Sequence, residues 1–87
     1  MLFEFNPGKS AANQAKHGID FVAAQGLWEG KVVELPSAKP GEQRRLVLGK
    51  IGERHWTAIV THRANRLRII SVRRSRDSEK AIYEKQR

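Results

Sequence analysis

The chain of 87 residues contains no cysteine, which excludes a disulfide framework and a thiolate zinc site. That absence fits a reducing compartment. No apolar run approaches the roughly 20 residues that a membrane-crossing helix needs. The opening stretch MLFEFNPGKS carries Glu4 early and lacks the charge, apolar run and small-residue cleavage site of a signal peptide. These absences lead to the expectation of a soluble, cytoplasmic protein with no membrane partner, folded as one domain over residues 1–87. Acidic residues are scarce too: 9, against 17 lysines and arginines, for a net charge of +8. The imbalance is local. Residues 44–76 hold ten basic residues (Arg44, Arg45, Lys50, Arg54, Arg63, Arg66, Arg68, Arg73, Arg74 and Arg76) and one acid, Glu53. The remainder is close to neutral, with seven basic residues and eight acids. A positive field confined to one third of a chain favours a polyanionic partner, a nucleic acid or an acidic protein surface.

What is present reads as an α+β domain. Residues 2–6, LFEFN, alternate apolar and polar as a short strand does. Asn6-Pro7 then starts a helix that runs to His17 and stops at Gly18, with Ala11, Ala12 and Ala15 as its thin apolar side. Asp20 caps a second helix, in which Phe21, Ala24, Leu27 and Trp28 fall at helical spacing and which Gly30 ends. KVVEL is a strand, and PSAKPGEQ, residues 36–43, is a loop. From there the period changes to two. RRLVLGKI, RHWTAIVTHR and NRLRIISVRR form an antiparallel meander, with turns at 50–53 and at Ala64-Asn65. Ser75 or Asp77 caps a closing helix that turns Ala81 and Ile82 inward, with Tyr83 at its margin. The expectation is a mostly antiparallel sheet with two N-terminal helices and a C-terminal helix gathered on one side. The other face stays open until a partner covers it.

The strand RLRIISVRR, residues 66–74, holds four arginines around an apolar centre. Strict alternation sends Arg66, Arg68, Ile70, Val72 and Arg74 to one face, and Leu67, Ile69, Ser71 and Arg73 to the other. A short hairpin brings Arg63 and His62 near Arg66 and Arg68. Crowded guanidiniums repel one another unless an anion neutralises them. Such a group suits RNA cleavage by the 2′-OH, because fixed arginine donors match the charge that builds on the phosphate. Proton transfer then needs a base and an acid, and His17, His55, His62, Glu53 and Tyr83 are the groups available. Each also has a plain structural reading: His17 as a helix-end residue, His55, His62 and Glu53 as solvated groups, Tyr83 as a core-edge aromatic. Trp28 and Trp56 read as core. Three scattered histidines give no metal-ligand spacing, and no glycine-rich phosphate loop is present.

The segments FEFN at 3–6, KSAANQAKHGIDF at 9–21, LVLGK at 46–50, THR at 61–63 and LRIISVRR at 67–74, together with Glu79 and Tyr83-Glu84, resemble the BrnT-type toxins. These belong to the RelE/ParE-like superfamily of type II toxin–antitoxin systems. The resemblance runs from end to end except for about residues 31–43. It implies a RelE-like fold and a metal-independent endoribonuclease that cleaves RNA to arrest growth and uses no cofactor. It also implies a ribbon–helix–helix antitoxin as partner, in a heterotetramer that reaches operator DNA only through the antitoxin. Carried over by position, Lys16 and His17 match the KHG motif, and Arg54 a basic position that opens the third strand. Arg63 matches the arginine after that strand, and Arg68, Arg73 and Arg74 the arginines of the next. The candidate catalytic set is therefore His17, Arg54, Arg63, Arg68 and Arg73, and the candidate RNA-binding set is Lys16, Lys50, His62, Arg66 and Arg74. Two motifs depart from the family's usual residues, at four positions: FEFN stands for FEWD, with Phe5 and Asn6, and Thr61-His62-Arg63-Ala64 for a TERG-like turn, with His62 and Ala64. The alternatives left open are a non-catalytic RNA- or protein-binding module, a degenerate toxin and a ParE-like topoisomerase inhibitor.

Overall fold

The structure, a computed structural model, describes residues 2–37 and 43–86, so the centre of the loop expected over 36–43 lies outside the described residues. In chain order the elements are β1 (Leu2–Glu4), α1 (Pro7–His17), a 3₁₀ helix (Ala23–Glu29), β2 (Val33–Pro36), β3 (Arg45–Ile51), β4 (Arg54–Arg63), β5 (Arg66–Arg74) and α2 (Asp77–Lys85). The five strands form one sheet in the order β1-β5-β4-β3-β2. Strand β1 runs parallel to β5 and the other pairs are antiparallel.

Helix α1 begins as expected: the Asn6 side chain accepts the Lys9 N–H at 3.0 Å, Pro7 fills the first turn, and Gly18 ends the helix at φ 80°. Its buried side is not the alanine stripe. Ala11, Ala12 and Ala15 are exposed, and Ser10 and Asn13 are buried instead. The reason is backbone accounting. Strand β1 pairs with β5 only from Arg66 to Arg68, so further along that edge β5 needs other hydrogen-bond partners. The Asn13 side chain accepts the Val72 N–H at 3.1 Å and donates to the Val72 carbonyl at 2.9 Å and the Ile19 carbonyl at 2.7 Å. Ser10 Oγ accepts the Phe21 N–H at 2.9 Å. Alanine offers neither donor nor acceptor.

The second helix is a 3₁₀ helix rather than an α-helix. Its N-cap is Val22 rather than Asp20, although the Asp20 carboxylate accepts the Ala23 N–H at 2.8 Å. Phe21, Ala24 and Leu27, each at most 1% exposed, recur every three residues, the period at which 3₁₀ side chains eclipse. Leu27 lies against Gly49, where a Cβ would stand 2.9 Å from the leucine Cδ2. This segment and Ile19 pack on Val47, Trp56, Ala58, Val60, Leu67, Ile69 and Val72. Edge-to-face pairs Phe3–Trp28 and Phe5–Phe21 close its margin.

Strand β5 departs from strict alternation. Ile59 pairs with Ser71 and Val60 with Ile69, so Ile70 is an extra, bulged residue. The bulge resets the parity. Leu67, Ile69 and Val72 all reach the core, Arg74 shares their face opposite Trp56, and Arg66, Arg68, Ser71 and Arg73 take the other. The helices are divided as well: α2 covers the sheet face opposite the core, where fully buried Thr57 meets Glu79. The N-cap of α2 is Arg76, not Ser75 or Asp77, and the Glu79 carboxylate reaches back to accept the Arg76 N–H at 2.8 Å. Glu79 rather than Ala81 or Ile82 is the buried residue, and those two are exposed. Its carboxylate also takes a bidentate pair from Arg73 at 2.8 Å for each oxygen, and the Thr57 hydroxyl at 3.0 Å.

Those donors fix the titration of Glu79. The Arg73 hydrogen bonds outweigh burial and, with the Arg76 N–H and Thr57, lower its pKa from 4.5 to about 2. The folded-state value lies below the unfolded one, so the stabilisation is complete above about pH 4.5 and is lost as pH falls through about 2. Glu79→Gln should cost about 3 kcal/mol near neutral pH, and the difference from wild type should vanish at the acid end, as urea melts from pH 7 to 2 would read. Both hairpin loops, 52–53 and 64–65, open with a positive φ: 61° at Gly52 and 54° at Ala64. A left-handed alanine is strained, so Ala64→Gly should stabilise the fold by about 0.5–1 kcal/mol in the same assay.

Candidate functional site

The β4–β5 hairpin sets Arg63 opposite Arg66 and Thr61 opposite Arg68. The parallel pairing of β1 then sets Glu4 beside Arg68. Alternation puts Phe3 and Phe5 toward the core and Glu4 on the opposite face, among these arginines. Its carboxylate lies 3.8 Å from Arg63 Nε, 3.9 Å from Arg66 Nη1 and 4.0 Å from Arg68 Nη1. All three distances exceed hydrogen-bond range, so the N–H donors and the carboxylate lone pairs stay available. Side-chain exposure is 62% for Arg63 and 59% for Arg66, but 33% for Arg68 and 26% for Glu4. Three guanidiniums and one carboxylate leave a net charge of +2. Helix α2 sits at the far end of this face, over Thr57 and Arg73, and leaves the arginines open to solvent.

Arg73 does not join them. It lies five residues along β5 from Arg68, roughly 15 Å away, and its guanidinium is committed to Glu79 and the Arg74 carbonyl. The Glu79 hydrogen bonds hold its pKa above the ordinary arginine value. Arg73 is therefore a structural clamp between β5 and α2. Arg74 is on the core face, its guanidinium 5.4 Å from the centre of the Trp56 ring. Lys50, Arg54 and Arg74 lie at the β3–β4 hairpin end, opposite the end that carries Arg63 and Arg66, with Arg54 and Arg74 on the core face and Lys50 on the other. Lys16 and His17 close α1; Lys16 is exposed and His17 half-buried, one helical turn past Asn13. Of the ten candidates, the fold brings together Arg63, Arg66 and Arg68.

No histidine faces this group. His62 pairs across from Leu67 and points to the core side, with Nε2 2.7 Å from Glu34 Oε1. Arg45 Nε donates to the same oxygen at 3.0 Å. Burial raises the pKa of Glu34, but the His62 and Arg45 hydrogen bonds outweigh it and hold the carboxyl below its ordinary range. His55 Nε2 lies 2.8 Å from Glu84 Oε2, with the Tyr83 ring edge-on at 5.7 Å. The Tyr83 hydroxyl donates to the Lys31 carbonyl at 3.0 Å, and Glu53 is an exposed turn residue. The residue that sequence reasoning missed is Glu4. Its only signal is the alternation in FEF, which sets it opposite two core phenylalanines; its parallel partner, Arg68, is 64 residues away.

Among the described residues there is no group of three or more histidines, cysteines or carboxylates placed to hold a metal ion, and no helix is long and apolar enough to cross a membrane. No curated protein matches the chain. The profile of one family, described as "Ribonuclease toxin, BrnT, of type II toxin-antitoxin system", matches residues 5–79. That span holds β2 to β5 and all three helical segments up to the Glu79 clamp, so the chain belongs to the BrnT family of ribonuclease toxins, whose partner is a protein antitoxin.

Proposed function

We propose that the protein is a metal-independent endoribonuclease of the cytoplasm, and that Arg63, Arg66 and Arg68 hold the scissile phosphate. One observation carries this reading: three guanidiniums converge on a single point of the sheet face that α2 leaves open, with their donors uncommitted. RNA cleavage by the 2′-OH raises the charge on the phosphate from −1 toward −2, and a site of net +2 matches that change. Fixed guanidiniums supply the match without reorganising, which is the part a metal would otherwise play. In this reading the other basic pole, Lys50, Arg54 and Arg74, tracks the RNA backbone away from the reaction.

The family's type II character calls for a protein antitoxin, and an acidic antitoxin segment would compete with RNA for the same arginines. We propose a ribbon–helix–helix antitoxin in a heterotetramer, through which alone the toxin meets operator DNA. An open surface of this kind also suits a second reading: a module that grips RNA or an acidic protein without cleaving it.

Cleavage of purified RNA in EDTA separates the two. The wild-type protein should release 2′,3′-cyclic phosphate or 3′-phosphate ends. Arg63→Ala and Arg68→Ala should each lower the rate by roughly 100-fold with the melting temperature unchanged. Arg54→Ala should weaken RNA binding severalfold and leave the rate at saturating RNA near that of wild type. RNA that is bound but left intact by the wild-type protein would favour the binding module.

A further inference from the structure

We infer that Glu4 is the general base of the reaction, the group that takes the proton of the attacking 2′-OH; this rests on the arginine site proposed above. The candidates for that role in the sequence were mainly histidines, and the fold directs all three elsewhere. His62 lies on the other face against Glu34, His55 is held at Glu84, and His17 ends α1. Glu4 stands at the centre of the three guanidiniums that would hold the phosphate.

The contrast with Glu79 marks it as chemical rather than structural. Glu79 is 6% exposed and saturated by donors at 2.8–3.0 Å from Arg73, Arg76 and Thr57. Glu4 meets the same kind of partner at 3.8–4.0 Å, with no hydrogen bond to any of the three. A saturated carboxylate is a poor proton acceptor; an open one in an electropositive site is available for the transfer.

The step balances as follows. The 2′-O–H bond breaks and its proton passes to a Glu4 oxygen. The 2′-oxygen uses the freed electron pair to bond to phosphorus. The P–O5′ bond breaks, and the 5′-oxygen leaves with that electron pair and takes a proton from water. The products are a 2′,3′-cyclic phosphate and a 5′-hydroxyl, and protonated Glu4 returns its proton to water. Charge moves in a useful direction during this step. The arginines start with one carboxylate and one singly charged phosphate between them. As Glu4 becomes neutral, the same arginines turn to a phosphorane approaching −2, so their attraction is strongest in the transition state.

The test uses the full chain and a mixed-sequence RNA, with binding measured on its non-cleavable 2′-O-methyl counterpart. Glu4→Gln should lower the cleavage rate at saturating RNA by 100-fold or more and bind the 2′-O-methyl RNA as tightly as wild type or tighter, because one negative charge is gone. Glu4→Asp should recover part of the rate. The groups facing Glu4 are Arg63 from β4 and Arg66 and Arg68 from β5, all guanidiniums. The acid limb of the wild-type pH–rate profile should therefore be missing from the residual activity of Glu4→Gln. Wild-type cleavage with Glu4→Gln unimpaired, or with the acid limb retained, overturns the assignment and leaves the arginine site standing. Loss of binding and cleavage together also overturns it, as the mark of a structural residue. A wild-type protein that does not cleave RNA overturns both.

Discussion

Ile70 has no partner on β4, and this one extra residue decides which way every side chain of β5 points. A strand alternates faces, so an unbulged β5 could not place Ile69 and Val72 on the same side. With the bulge, Leu67, Ile69 and Val72 all enter the core, each at most 2% exposed. The cost is one unpaired residue and a local increase in twist. The return is that Arg66, Arg68 and Arg73, which alternation would divide, share the face opposite the core. A basic strand can then build the centre of an apolar core without burying a guanidinium in it. Arg74, which the bulge turns to the core face, stands at the strand end, where Trp56 takes its flat side.

The shared face carries two kinds of arginine–glutamate contact, and their difference separates stability from function. Arg73 and Glu79 sit between sheet and helix. Charges that far from water need short, complete hydrogen bonding, and the bidentate pair with Thr57 and the Arg76 N–H supplies it. This arrangement docks α2, caps its first turn and leaves neither group free for a ligand. At the other end of the face Arg63 and Arg66 are exposed and Glu4 partly so, and solvent screens their looser contacts, so the fold gains little from them. A cluster of three like charges with one partially compensating acid is a poor structural device. It is a ready binding site for a second anion, because the donors are already gathered and none must be released.

Much of this was legible in the residues, and what was not has identifiable causes. Asn6, Pro7 and Gly18 bound α1 because caps act locally, and the two hairpins follow from short polar turns between period-two runs. The packing side of α1 was not legible. Three alanines looked like its contact stripe, but the edge of β5 beyond Arg68 required a side chain with both a donor and an acceptor, and Asn13 provides them. The 3₁₀ helix was hidden because Phe21, Ala24 and Leu27 suit a period of three as well as one of 3.6. In the site, Arg63, Arg66 and Arg68 were legible as an arginine group, since a two-residue turn must bring them together. Arg73 was carried into the same group by the resemblance, and its partner Glu79 was hidden because the docking face of α2 was read as Ala81 and Ile82. Glu4 was missed because parallel pairing between the first strand and the fifth leaves no local mark.

The positions at which this chain departs from the usual BrnT pattern fall outside the arginine group. His62, where the family commonly has glutamate, faces the core side and meets Glu34 at 2.7 Å. A glutamate in its place would set two carboxylates side by side with Arg45 alone to compensate them, so histidine at 62 and glutamate at 34 are matched to each other. Ala64, where glycine is usual, keeps the turn at φ 54° at a local cost in strain and still sets Arg63 opposite Arg66. Asn6 caps α1 as an aspartate would, and Phe5 packs edge-to-face on Phe21. Each departure changes a turn, a cap or an ion pair on the far side of the sheet, and none removes a donor from the face that holds Glu4, Arg63, Arg66 and Arg68. The four residues of the arginine site are therefore untouched by these substitutions, since alternation along β4 sets His62 and Arg63 on opposite faces and the changes at 5, 6 and 64 are absorbed by packing, a cap and a turn.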